Sequence, residues 1–361
     1  MAELFDPFTL NAMHLKNRVV MAPMTRGLSP EWLPTSESVA YYRARAEGGA
    51  GLIISEGVAP DLGSSHGERD VPVVLGERAV DAWRAVTDAV HQAGAAMACQ
   101  LWHVGAFRRI GIGPTPDAPV LSPSGVPVWP EVTPDVMSDN DIADAIEAFA
   151  KSSRAAVSAG FDAVEVHGAH GYLIDQFLWS QTNRRSDRYG GGPRERGRFA
   201  ADVVRAVRRE VGPDIPILFR FSQWKRHDFE AWNADSPDML GALLEPVSEA
   251  GVDLFHASTR RYWEPAFPDA GPEGLAAWTR RLTGKPTIAV GSIGLDDVSR
   301  QNANPVDLND LQDRLAAGEF DLAALGRQLL ADPEWPNKVA AGRLSDVKPF
   351  RRAHIDWRDS P

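Results

Sequence analysis

Two imidazoles and a phenol crowd six residues, His167-Gly168-Ala169-His170-Gly171-Tyr172, directly after the apolar stretch Phe161 to Val166. Hydrogen-bond donors beside a weak acid at the end of a buried strand are suited to holding a carbonyl oxygen while a proton is delivered nearby. The same His-x-x-His spacing could supply two metal ligands. No cysteine or carboxylate pattern around it completes a coordination shell, so no metal is expected.

Other strand ends offer groups that would suit a flat heteroaromatic ring. Pro23-Met24-Thr25 supplies backbone groups and a hydroxyl, Ser55-Glu56-Gly57 a glycine for close approach, and Gln100-Leu101-Trp102 an amide that both donates and accepts. Trp102 itself reads equally as packing or as a substrate wall. Arg220 lies in Ile217-Leu218-Phe219-Arg220-Phe221-Ser222, where alternation gives Leu218 and Arg220 one face and the phenylalanines the other. A cation aimed into a core needs an anion or a polarised ring, so Arg220 either pairs with Glu165 or meets a ligand. Near the carboxyl end of the chain, Gly291-Ser292 and Gly326-Arg327 each follow an apolar run, an arrangement suited to phosphate.

The elements that must position these residues follow from the alternation of Val-, Ile-, Leu- and Ala-rich runs with segments of helical period. That alternation marks a parallel sheet covered by helices. Eight strands are expected, at 18–24, 51–58, 95–101, 163–167, 217–221, 252–256, 287–290 and 322–325. The helices between and after them are expected at 36–47, 79–93, 139–159, 194–211, 236–250, 275–282, 305–317 and 336–341. Asn304 is a candidate cap for the seventh helix, with Pro305 at its first position. Eight unbroken strand–helix pairs favour a closed (β/α)8 TIM barrel, α/β in class, over an open sheet. No Gly-x-Gly-x-x-Gly follows an early strand, which disfavours a dinucleotide fold. One domain over 1–361 is expected, with a core over about 4–341 and a tail over 342–361. Long connections at 108–137, 222–235 and 258–274 follow strands and would form the functional rim.

Composition narrows the function. A formal charge of −11 over 361 residues argues against nucleic acid as a partner. The single cysteine, Cys99, can form no intramolecular disulfide and anchor no iron–sulfur cluster. With no stretch apolar enough to span a bilayer and no basic leader, cytoplasmic residence without a membrane partner is expected.

The string from His167 through Leu178, continuing to Asn183-Arg-Arg-Ser-Asp187-Arg-Tyr189-Gly-Gly, resembles the signature of the Old Yellow Enzyme family of flavin-dependent ene-reductases. The likeness runs from about Leu4 to Trp335. It implies noncovalent flavin mononucleotide (FMN), reduced by NADH or NADPH and reoxidised by a small activated alkene such as an enone, enal, maleimide or nitroalkene. By the resemblance, Pro23, Met24, Thr25, Gly57, Gln100 and Arg220 hold the isoalloxazine, and Gly291, Ser292, Gly326 and Arg327 hold the phosphate. His167 and His170 bind the substrate oxygen, Tyr172 donates the proton, and Trp102 touches substrate. Thr25 stands where one branch of the family carries cysteine. Alternatives are a flavin-binding protein without alkene turnover, or a relative acting on nitro compounds or nitrate esters. A homo-oligomer is compatible, with the tail from Phe350 either free or reaching a neighbouring subunit. The aromatics of the segment 259–264 are a candidate substrate wall.

Overall fold

Period-two alternation organises the centre of the molecule. In a computed structural model that describes residues 2–296 and 301–355, eight parallel strands close into a barrel. They are β1 (Val19–Met21), β2 (Leu52–Val58), β3 (Ala96–Leu101), β4 (Ala163–His170), β5 (Ile217–Lys225), β6 (Leu254–Ser258), β7 (Thr287–Val290) and β8 (Leu322–Leu325). Each pairs with the next in sequence, and β8 closes on β1. Outward residues such as Val164, Phe219, Phe255 and Ala323 pack under the helices, while Val20, Leu52, Ala163, Leu218, Leu254 and Leu322 fill the interior. Going up the barrel, the interior changes character. The next inward positions on β3 to β6 are Gln100, Glu165, Arg220 and His256, all buried.

The amino terminus closes the opposite end. An antiparallel hairpin, Phe8–Leu10 with Met13–Leu15, adds Leu10, Met13 and Leu15 to the interior cluster. That hairpin was not anticipated, although its alternating apolar residues around Asn11, which adopts φ 49, are visible in the sequence.

Several expected boundaries move for identifiable reasons. The fourth helix splits into Pro193–Arg196 and Arg198–Val211 at Gly197, where a Cβ would lie 2.6 Å from the Leu243 carbonyl oxygen of the neighbouring helix. The seventh begins at Asn309 rather than Pro305. Asn304 does not cap it, because its backbone N–H and side chain both bond Asp296. Strand β5 runs on to Lys225, so the connection expected from Ser222 starts later. The tail is held to the rest of the chain at its start: Phe350–Arg351 pairs with Asn302–Ala303, and Arg26 Nη1 donates to the Ile355 carbonyl at 3.3 Å. The remainder of that tail, with Trp357 and Arg358, lies outside the described residues. Among the described residues no helix is long and apolar enough to cross a membrane.

Candidate active site

The His-Tyr segment is shaped by a turn rather than a straight strand. His170, the last residue of β4, adopts φ 66, and Gly171 follows at φ 85. A left-handed conformation at a residue with a Cβ needs support. It comes from Asp175, whose Oδ2 accepts the Gly171 N–H at 2.6 Å, and from Ser222 Oγ, which accepts the His170 N–H at 2.9 Å. Asp175 is fully buried and is held by Lys225 Nζ at 2.9 Å and Asn233 Nδ2 at 2.7 Å. Burial pushes the Asp175 carboxyl up and the Lys225 amine down, while each partner's charge opposes the other's shift. None of Asp175, Lys225 or Asn233 was anticipated as part of the site.

The turn brings three rings together. The His167 ring lies 5.1 Å from His170 and 5.3 Å from Tyr172, centroid to centroid, and Trp102 meets Tyr172 edge-on at 5.0 Å. Trp102 therefore belongs to the cluster. Burial, then the Arg220 charge, holds both imidazoles well below the usual histidine range, so they are neutral at physiological pH. The Ala169 N–H donates to His167 Nδ1 at 3.3 Å, which leaves the proton on Nε2. His170 Nε2 shares a 2.8 Å hydrogen bond with Ser258 Oγ and its ring lies against Trp224. Arg226 Nη1 donates to the Tyr172 hydroxyl at 3.1 Å and pairs with Glu68 at 2.7 Å. Arg226 was also missed, since it sits 54 residues from its partner in a connection with no motif. A cavity of about 340 Å³ opens beside this cluster, walled by Trp102, Phe107, Trp129, Tyr172 and Arg226.

The polar layer of the barrel bears on the two alternatives left open for Arg220. Glu165 does not make an ion pair with Arg220. The strand register sets Glu165 opposite Leu218, and His167 opposite Arg220. Glu165 instead accepts from Gln100 Nε2 at 2.7 Å and from His256 Nδ1 at 2.7 Å. Burial would raise its carboxyl, but His256, Arg220 and Gln100 together keep it below the ordinary value. Arg220 reaches Ser258 Oγ at 3.4 Å, and among the described residues its buried Nε has no partner. A buried guanidinium with an open N–H fits an electron-rich edge of a heterocycle above it.

The remaining candidates ring this layer. Pro23 and Met24 are half-buried and Thr25 is exposed just past β1, and Met24 Sδ would lie 3.3 Å from a Cβ added to Gly326. Gly57 serves packing as much as any ligand, because a Cβ there would fall 2.3 Å from the Trp102 ring. Past β7 and β8, which are neighbours, Arg327 Nη2 donates to Ser292 Oγ at 2.8 Å. Gly291 at φ 147 and Ser292 at φ 50 make a sharp turn there. This corner, with the open guanidinium and amide over the barrel, fits a flavin with a phosphate arm. Beside Thr25, Glu56 accepts from the Arg26 and Gly27 N–H groups, and burial raises its carboxyl to about 7 against those bonds. The aromatics of the 259–264 segment do not wall the cavity: Tyr262 turns away to bond Asp310 at 2.7 Å and carries Trp263 against its ring.

Comparison with known proteins agrees with this architecture. Residues 3–346 match the NADH:flavin oxidoreductase / NADH oxidase family. 12-Oxophytodienoate reductase 2 of Arabidopsis thaliana is 33% identical over 93% of this chain and 87% of its own length. NADPH dehydrogenase of Geobacillus sp. is 33% identical over 98% of both. The chain spans about half the length of two further curated relatives, a metal reductase and an NADH oxidase. Morphinone reductase, solved in complex with tetrahydroNAD, superposes with a TM-score of 0.80 at 29% identity, covering 95% of this chain and 92% of that one. The chain belongs to the NADH:flavin oxidoreductase / NADH oxidase family, that of Old Yellow Enzyme, and is an oxidoreductase that uses FMN with NADH or NADPH as reductant.

Proposed function

We propose that the protein is an ene-reductase, reducing the carbon–carbon double bond of a small activated alkene in the cytoplasm. The observation that carries this reading is the meeting of His167, His170 and Tyr172 at one strand end, over a buried arginine with an open N–H. When bound, FMN would supply the hydride chemistry that links oxidation of the nicotinamide to reduction of the alkene.

The chain's own groups divide the remaining work. Gln100 and Arg220 would hold the isoalloxazine together with Pro23, Met24, Thr25 and Gly57. Gly291, Ser292, Gly326 and Arg327 hold the phosphate. His167 and His170, both neutral, donate to the substrate's carbonyl oxygen, His167 through Nε2. Their hydrogen bonds strengthen as negative charge develops on that oxygen, which is where binding energy accelerates a reaction. For His170, Ser258 Oγ accepts from Arg220 and can return its own proton to Nε2, leaving Nδ1–H free to donate. Tyr172 delivers a proton to the α-carbon, and the Arg226 N–H at its oxygen stabilises the phenolate left behind.

The test is anaerobic incubation of the holoenzyme with NADPH or NADH and cyclohexenone, with product analysis. Cyclohexanone in amounts matching nucleotide oxidised supports the assignment. Reduced flavin that persists in the presence of enones, maleimides and nitroalkenes alike rejects it in favour of flavin binding without alkene turnover. Consumption of nitro compounds or nitrate esters alone would favour that narrower chemistry.

A further inference from the structure

The cavity beside Tyr172 carries more positive charge than its own contacts neutralise. Arg69, Arg109 and Arg226 all line it, against one carboxylate, Glu68. Glu68 is taken up by Arg226 at 2.7 Å. Among the described residues no ion pair engages Arg69 or Arg109, and the Arg109 guanidinium rests over the Trp129 ring, 5.3 Å from its centroid. Two uncompensated cations thus face one aromatic cleft, on a chain whose formal charge is −11.

Their placement is built into the loops. The buried Arg108 donates to the carbonyls of Gly63 at 3.0 Å, His66 at 2.8 Å, Thr115 at 2.6 Å and Ala118 at 3.1 Å. It thereby ties the connection after β2, which carries Arg69, to the connection after β3, which carries Arg109. A ladder of rings joins this rim to the proton donor: Tyr172 to Phe107 at 5.1 Å, Phe107 to Trp129 at 5.6 Å, then Arg109 over Trp129. Planar guanidinium forks suit a carboxylate, and because both arginines are exposed at the cleft rim, such a pair is open to screening by salt.

We infer that Arg69 and Arg109 form a subsite for a carboxylate carried by the alkene substrate, separated from its double bond by an apolar body that lies along Phe107 and Trp129. The inference rests on the ene-reductase reading for the alkene, and the anion subsite is tested apart from turnover. The oxidised FMN holoenzyme is titrated with 6-maleimidohexanoate and with its methyl ester, binding being followed by flavin absorbance. The two ligands share alkene and chain and differ in charge.

The acid should bind about tenfold more tightly than the ester, with an advantage that shrinks as salt is added. In the double variant Arg69→Ala/Arg109→Ala the acid-to-ester ratio should fall to about one. Equal binding of acid and ester by the unaltered protein overturns the inference, as does an unchanged ratio in the double variant. So does a loss confined to flavin reduction by NADPH, which would give the two arginines to the nucleotide's phosphates. Preferential binding of the acid, with neither maleimide reoxidising reduced flavin, would keep the anion subsite and reject the ene-reductase reading instead.

Discussion

Replacing Arg220 by methionine separates a ligand-holding role from a structural one, because the two roles predict effects on different quantities. Arg220 is 7% exposed and inside the barrel, and among the described residues it has one long contact to Ser258 Oγ and an unpartnered Nε. Had it formed a buried ion pair, its removal would destabilise the fold by about 3–5 kcal/mol. Glu165, its nearest candidate partner, keeps the Gln100 and His256 hydrogen bonds in the variant. The apoprotein is therefore expected to lose no more than about 1 kcal/mol, because the contact given up is long, at 3.4 Å, and the variant no longer buries a guanidinium. Affinity for FMN should fall much further. A charged hydrogen bond contributes roughly 1.5–3 kcal/mol, which is about 10- to 150-fold in Kd. Urea denaturation of the apoprotein and fluorescence titration with FMN measure the two quantities on the same preparation. An apoprotein destabilised by several kcal/mol with an unchanged FMN Kd would refute the reasoning and return Arg220 to a structural role.

Three further outcomes follow from the same contacts. Glu56, raised to about 7 in the fold from an ordinary 4.5, binds its proton more tightly folded than unfolded, so its contribution is full below about pH 4.5 and lost as pH rises through 7. Relative to Glu56→Gln, the wild type should lose up to about 3 kcal/mol across that window; urea midpoints at pH 5, 6 and 7.5 check this, and a constant gap would contradict it. Lys225→Met strands the buried Asp175 carboxylate and should cost about 3–5 kcal/mol, with part recovered by adding Asp175→Asn; a shift below about 1 kcal/mol would show the pair to be dispensable. Nitrogen-15 NMR of labelled histidine should find His167 and His170 still neutral at pH 6; imidazolium signals from either would undo their assignment as neutral donors.

What could be read from the sequence, and what could not, divides along range of interaction. The inward placement of Arg220 and the gathering of His167, His170 and Tyr172 depend on period-two alternation and on residues within one segment, so both were visible. The partner of Glu165 was not, because it depends on strand register: a shift of two residues exchanges Arg220 for Leu218 as the residue opposite. Arg226 meets Tyr172, and Lys225 meets Asp175, across 54 and 50 residues, where no local pattern records the contact. Gly57 looked like an opening for a ring, yet the structure also fills that opening with Trp102, a close approach that only the fold creates.

The most direct test of the account compares the two half-reactions of Tyr172→Phe by anaerobic rapid mixing. Reduction of the flavin by NADH or NADPH should proceed at close to the wild-type rate, while its reoxidation by cyclohexenone should slow by about 10²- to 10⁴-fold, the range for loss of a positioned general acid. Equal slowing of both halves, or an unimpaired reoxidation, would contradict Tyr172 as the proton donor.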